Sequence, residues 1–398
     1  MTNEMYFPLE EYHDRWKRVH AEMERRGYDL ALVWGKSAGT YERSMDILYL
    51  TNFYSSHSGQ EPDSRLWNAR SFCAAILAAG EEPELHSDEF NPRHERLAVE
   101  QHHFHMNPIQ GVADALNARH IEDRVAWVGS DVLPVKYAKQ LERLTPGIEY
   151  VYDDDLVREC RRIKSPRELD LFREGGEIVD AAMTNMVEAL CLGQSEAEAA
   201  IACVSELFRR GGYYQRIAIA HGKYTNFLET TPMHGFSLEA PEPGDLFHCD
   251  ILGPAYEGYW MDPARTAVCG RKPTPEQKSL VEDCVRIIEE GIQDKIRHGA
   301  KIRDVANAAK QMRDHVGGDI SEFDANWPYF GHSNGCMWEA PYLSAEMAGE
   351  DEIYEEGMVI GVEAFLTREG VGTAEAENNL IVTADGYELL TKCPMLWW

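Results

Sequence analysis

Five residues of this chain have side chains suited to acid–base or metal chemistry, at places where apolar residues are expected. Asp250 interrupts the hydrophobic run DLFHCDIL, and Asp262 stands where GYWMDPARTAVCG begins its next strand. Glu363 lies inside MVIGVEAFL, and Glu377 opens ENNLIVT after a glycine-containing hairpin. An isolated carboxylate in a buried strand costs several kcal/mol unless it is paired or metal-bound. Any one of the four could be an edge-strand acid facing water. Four in one half of the chain, joined by His332 of WPYFGHSNGCMWEAPYLS, are harder to explain that way. Oxygen donors with one imidazole suit Fe, Mn, Zn or Co and can hold one or two divalent ions.

The stretch around His332 also gathers rings: Trp327, Tyr329, Phe330, Trp338 and Tyr342. Such rings can be core filler. Facing a pocket, they attract a sulfonium or quaternary ammonium by about 2 kcal/mol or more once desolvated. A second histidine run, Gln101-His102-His103-Phe104-His105, has metal-like spacing. With a ligand set complete elsewhere, it reads as a solvated or interfacial segment.

Two regions must position these groups. The first alternates helix and strand, with a helix over LEEYHDRWKRVHAEMERRG, strands at DLALVWG, DILYLTNF, SFCAAILAA and RVAWVGS, and a helix at PVKYAKQLERL. That order indicates an α/β unit. The acids Asp153 to Asp155 and the segment RRIKSP mark its end. The second region repeats helices then strands twice, which indicates two pseudo-equivalent halves sharing a sheet, an α+β arrangement. Ser195 with Glu198 forms a capping box, and Thr274 with Pro275 starts a further helix.

Composition narrows the partners. A formal net charge of -29, from 39 Lys+Arg against 68 Asp+Glu, argues against nucleic acid and anionic lipid. No apolar run approaches the roughly 20 residues of a membrane span. MTNEMYFPLEEYHDRW lacks the basic and apolar regions of a signal peptide. The 9 cysteines, with no C-x-x-C pair, are expected to be reduced thiols in a cytoplasmic protein.

The order of motifs resembles the pita-bread family of creatinases, methionine aminopeptidases and Xaa-Pro peptidases. YDLALVWG, DILYLTNF, IKSPREL, PMHGF, DLFHCDILGPAYEGYWMDPART, GHSNG, GMVIGVEA and ENNLIVTADGYELLT follow in that family's order over nearly the whole chain. The resemblance implies a creatinase-like domain over residues 1–160, a pita-bread catalytic domain over 161–398, and a homodimer acting on a small-molecule substrate. It places the family's metal positions on Asp250, Asp262, His332, Glu363 and Glu377, and a site histidine on His234, which could equally be a satisfied loop residue. Tyr54 and Trp67 would complete an aromatic cage if the first domain covers the site, as it does across dimers in the family.

Three departures bear on the reaction. Peptidases of the family usually show His-Glu-x-Pro where this chain has Trp338-Glu339-Ala340-Pro341. Asp250 and Asp262 are 12 apart, and Ala364 stands where proline is common. These features resemble a divergent branch that includes iron-dependent dimethylsulfoniopropionate lyases. The resemblance implies a metal-dependent β-elimination on a small zwitterion, releasing dimethyl sulfide and acrylate. Trp338 occupies the position of that branch's usual aspartate base, so Glu339, Tyr329, Tyr342 or His234 would have to serve. Trp327, Phe330 and Trp338, with Tyr54 and Trp67, would hold the cationic group. The alternative is hydrolysis of a dipeptide or N-terminal Xaa-Pro bond, with Glu363 as general base and His234 assisting, or a creatinase-like C–N hydrolysis.

Overall fold

The computed structural model describes residues 4–36, 43, 45–55, 71–119, 121, 124–231, 235–317, 327 and 329–398. The chain divides into two units, Thr2–Arg162 and Ile163–Trp398.

In the first unit, α1 (Leu9–Arg26) buries Tyr12, Trp16, Val19 and Met23, a helical stripe of the expected period. Strands β1 (Leu30–Lys36), β2 (Phe72–Ala78), β3 (Glu84–Ser87), β4 (His102–Phe104), β5 (Arg124–Val128) and β6 (Glu149–Tyr152) form one sheet in the order β4-β3-β2-β1-β5-β6. Helices α3 (Pro108–Ala118) and α4 (Val135–Leu144) contribute Ile109, Val112, Leu116, Tyr137 and Leu141 to the core on this sheet. The strand expected at DILYLTNF is instead α2 (Met45–Thr51), buried along its whole length. A short apolar run surrounded on all sides shows no periodicity, so strand and helix cannot be told apart in it. The last helix of the unit is α5 (Asp155–Arg161).

The second unit begins with α6 (Pro166–Cys191) and α7 (Glu196–Arg209). Ser165 and Ser195 each cap the helix that follows in a reciprocal box with Glu168 or Glu198. Next come β7 (Arg216–His221), β8 (Leu246–Tyr256), β9 (Tyr259–Met261) and β10 (Ala264–Val268). The second half repeats the order with α8 (Pro275–Arg286), α9 (Ile302–Val316), β11 (Gly331–Asn334), β12 (Trp338–Tyr342), β13 (Val359–Arg368), β14 (Gly372–Val382) and β15 (Tyr387–Leu389). The main path of the sheet is β12-β11-β13-β14-β10-β8-β7, with β9 on β8 and β15 on β14. The two halves therefore join where β10 meets β14, with Ala264 opposite Glu377. Leu280, Cys284, Ile288, Ile302 and Ala309 of the helical layer pack on Ile360, Val362, Leu366 and Leu380 of the sheet.

A buried ion pair ties the start of this unit to β12. Lys164 Nζ lies 3.0 Å from Glu339 Oε1, both side chains being almost wholly inaccessible. Removing one member of a buried ion pair is strongly destabilising, so Lys164→Met is expected to cost about 3–5 kcal/mol in urea unfolding. Lys164→Met with Glu339→Leu should recover most of that loss. A single variant as stable as the parent would show that the pair carries no such constraint.

Candidate metal centre

Sheet register brings the five sequence-selected residues to one face of the second unit. On β8, Asp250 is opposite Ala264, and Ala264 is in turn opposite Glu377 on β14. Glu363 of β13 is directly opposite Glu377. Asp262 sits in the short link between β9 and β10, and His332 is the second residue of β11. All five are buried. The donor atoms of Asp262, His332 and Glu377 lie within 4.8 Å of one another.

Glycines make the close approach possible. A Cβ on Gly361 would lie 2.6 Å from Glu377 Oε1, 3.2 Å from Asp262 Oδ1 and 3.3 Å from His332 Cε1. Gly361 is thus the floor under these three groups. Gly331, with φ 142, lets β11 press onto β13, since a Cβ there would meet the Gly361 carbonyl oxygen at 2.1 Å.

Neighbouring groups orient the set. Asp262 accepts 3.0 Å bonds at Oδ1 from the side-chain amides of Asn334 and Asn379, and its own N–H donates to Asn379 Oδ1. Arg265 gives all five N–H groups to oxygens behind the cluster, those of Ala264, Glu377, Asn378, Cys393 and Pro394. None of these is a carboxylate, so this cation fixes backbone rather than neutralising the acids.

The cluster has the donors of a cation site. Asp250 Oδ1, Glu363 Oε1 and Glu377 Oε1 are buried with no hydrogen-bond partner among the described residues, and Asp262 Oδ2 has the His332 ring beside it. His332 Nε2 lies 3.1 Å from Asp262 Oδ2 and 3.9 Å from Glu377 Oε1, while Nδ1 faces the Ser333 carbonyl at 3.3 Å. With Nδ1 donating to that carbonyl, the Nε2 lone pair confronts carboxylate oxygens, and only a proton or a cation reconciles them. Burial together with Glu375, Asp262 and Glu363 raises the Asp250 carboxyl well above its ordinary value. Burial, Asp262 and Glu363 do the same to Glu377. Glu363 is raised to about 8 by burial, which His332 only partly offsets. Burial opposes charge on His332, but Asp262 and Glu363 outweigh it and raise it to about 9. Asp262 alone is lowered, because His332, with hydrogen bonds from Asn334 and Glu377, overcomes burial. The residues fit a divalent ion in charge, donor type and unmet coordination.

The rings divide. Tyr329, Trp338 and Tyr342 have centroids 6.0, 5.4 and 6.3 Å from that of His332, and Trp327 lies 5.2 Å from Tyr329. Phe330 is not among them. It packs against the helix-facing core beneath the Arg313 guanidinium. Phe330 lies in a bend just before β11, so the two-residue alternation that would place it on the side of His332 does not run through it. Tyr54 is exposed on the first unit, and Trp67 and His234 lie outside the described residues. Glu196 accepts from Thr230 Oγ1 and the Ser237 N–H and meets His221 at 2.6 Å, anchoring both sides of the segment that carries His234. Of the base candidates, Glu339 is engaged by Lys164, and burial and Glu363 push the Tyr329 phenol far above its ordinary value.

Sequence reasoning missed Lys164, Asn334, Asn379, Gly361 and the buried pair His248–Glu375, whose Nδ1 and Oε2 are 3.0 Å apart. Spacing offered one signal. His248 is two residues before Asp250 and Glu375 two before Glu377, on the same faces of their strands.

Two outcomes follow from these electrostatics. For His332, whose bound proton stabilises the metal-free fold, the contribution is full below about 6.5 and lost as pH rises through about 9. The raised Glu363 has the same sign, losing its contribution between about 4.5 and about 8. The melting temperature of chelated protein should therefore fall as pH rises across these windows, and added Mn2+ or Co2+ should raise it more at the alkaline end. An equal metal effect at both ends would contradict the assignment. Gly361→Ala, which fills the floor of the cluster, should abolish the metal-dependent rise while the protein still folds.

The profile of metallopeptidase family M24 matches residues 170–384, more than half of the chain. YkvY of Bacillus subtilis, provisionally named a dipeptidase, is 25% identical over 391 residues, covering 96% of this chain and 98% of its own. The Xaa-Pro dipeptidase of Pyrococcus horikoshii is 27% identical over 265 residues, 65% of this chain and 71% of that protein. Among solved structures, the Xaa-Pro dipeptidase from Bacillus anthracis superposes with a TM-score of 0.76 at 21% identity, covering 96% of this chain and 98% of the other. The prolidase from Pyrococcus horikoshii gives 0.77 at 20% identity, covering 96% and 100%. These likenesses show the pita-bread fold. Relatives named as dipeptidases and prolidases also overturn the expectation of a lyase releasing dimethyl sulfide and acrylate, and point to a hydrolase. The elimination reading leaned on a missing histidine, on the 12-residue spacing of Asp250 and Asp262 and on rings beside His332, none of which outweighs the names of these relatives. By the extent of the profile match and the two-halved sheet that carries its acids, this chain belongs to metallopeptidase family M24.

Proposed function

We propose that this chain is a metal-dependent peptidase that hydrolyses small peptides, with dipeptides and Xaa-Pro bonds as the substrate class. The observation that carries the reading is the convergence of four buried carboxylates and His332 on one sheet face, with Asp250 Oδ1, Glu363 Oε1 and Glu377 Oε1 lacking hydrogen-bond partners among the described residues. Asp250, Asp262, His332, Glu363 and Glu377 would hold one or two divalent ions. Bound there, such ions supply a Lewis acid and an acidified water. The names of relatives support this class of reaction.

Glu363 is the general base in this account. It stands beside the triad of Asp262, His332 and Glu377, and its Oε1 has no hydrogen-bond partner among the described residues, so it can take the proton of an attacking water and return it to the leaving amine. Two neutral donors replace the imidazole usual in such peptidases. The Trp338 Nε1–H is buried without a partner among the described residues, and the Tyr329 phenol is held protonated. Either can donate to a carbonyl oxygen as it gains charge. Trp327 and Tyr342, each against Tyr329, add an apolar wall suited to a prolyl ring.

Purified protein with Mn2+, Co2+ or Zn2+ should release free proline from Xaa-Pro dipeptides and stop on chelation. No turnover of any dipeptide by metal-loaded protein would sink the proposal. Glu363→Gln should lower kcat about 100- to 10,000-fold. Trp338→Phe keeps the ring and removes the donor, and should lower kcat about 100-fold with KM little changed. An unaltered kcat would remove Trp338 from the mechanism.

A further inference from the structure

The edge of the first unit's sheet carries a separate set of metal-type side chains. β3 and β4 are parallel, with His86 opposite His103. Side chains alternate along a strand, so Glu84 and His86 share a face that His103 and His105 continue on the neighbouring segment. Donor atoms of Glu84, His86 and His103 lie within 4.8 Å of one another. The His86 ring stacks on His103 at 4.8 Å and on His105 at 5.2 Å.

The two nitrogens of His86, a residue only 2% exposed, face different partners. Nδ1 lies 3.0 Å from His105 Nε2. Nε2 is buried, has no hydrogen-bond partner among the described residues, and points toward Glu84 Oε2 at 3.6 Å. The Arg119 guanidinium takes the other oxygen of Glu84 and so aims Oε2 at the ring. When Nδ1 donates to His105, the Nε2 lone pair confronts a carboxylate, and a cation between them removes the conflict. A tetrahedral ion with bonds of about 2.0–2.1 Å sets neighbouring donors about 3.3 Å apart, close to this separation. Ligand imidazoles are commonly oriented through their second nitrogen, the part His105 plays here. His105 is itself seated on α3, where a Cβ on Gly111 would lie 2.3 Å from its ring.

We propose that Glu84, His86 and His103 form a second metal site for a nitrogen-preferring ion such as Zn2+, Ni2+ or Cu2+, with His105 as a positioning residue and a fourth position left to solvent. The donor set of two imidazoles and one carboxylate differs from the carboxylate-rich centre, so the two sites separate by metal preference. The proposal lies wholly within the first unit and does not depend on the peptidase reading.

The test uses full-length protein in which Asp262→Asn and Glu377→Gln disable the other centre, stripped of metal and titrated with Ni2+ or Zn2+ by calorimetry. Uptake of one ion per chain is expected, lost on adding His103→Ala and weakened about 10- to 100-fold by His105→Phe, which keeps the ring packing. His103 is partly exposed, so its removal should leave the circular dichroism and melting of the stripped protein unchanged. No uptake by the doubly substituted protein, or uptake unaffected by His103→Ala, overturns the proposal.

Discussion

The second unit rests on a single electrostatic constraint: four carboxylates are enclosed with one imidazole, away from water, and their charge must be balanced. Asp250, Glu363 and Glu377 each keep one oxygen with no hydrogen-bond partner among the described residues, and the remaining Asp262 oxygen faces the His332 ring. Arg265, a cation that could have neutralised them, gives its donors to carbonyls and an amide oxygen. Protons can fill the deficit, which is why three of the four acids and His332 hold them more tightly than usual. A divalent ion fills it better, because one ion meets several oxygens at once.

Much of the fold can be seen as the means of holding that arrangement. Register across β8, β10, β14 and β13 lines up Asp250, Glu377 and Glu363 through Ala264. Asn334 and Asn379 fix Asp262 from both sides. Gly331 and Gly361 permit an approach that any side chain would block. Lys164, at the start of the unit, reaches the strand that carries Trp338 through Glu339. These contacts join residues far apart in the chain, so the site forms only when the sheet is complete.

The acids were legible in the sequence because a charge inside an apolar strand breaks a local pattern. Ser195–Glu198 was legible because a capping box depends on residues three apart, and Thr274–Pro275 because a cap and a first-turn proline stand side by side. What escaped depends on distance or facing. Lys164 and Glu339 are 175 residues apart, and nothing local marks them as partners. Phe330 looked like a neighbour of His332, but the bend just before β11 turns it to the core. The helix at Met45–Thr51 hid behind uniform burial. The reaction was misjudged for a related reason: an absent histidine was read as a change of chemistry, although neutral donors stand beside His332.

Anomalous diffraction from a crystal of the protein grown with Mn2+ or Zn2+ addresses the central claim most directly. The account predicts a peak among Asp262, His332 and Glu377, within bonding distance of the oxygens that lack protein donors. Density for water alone at that position, with the metal present in the crystal and the carboxylates undisturbed, would contradict it.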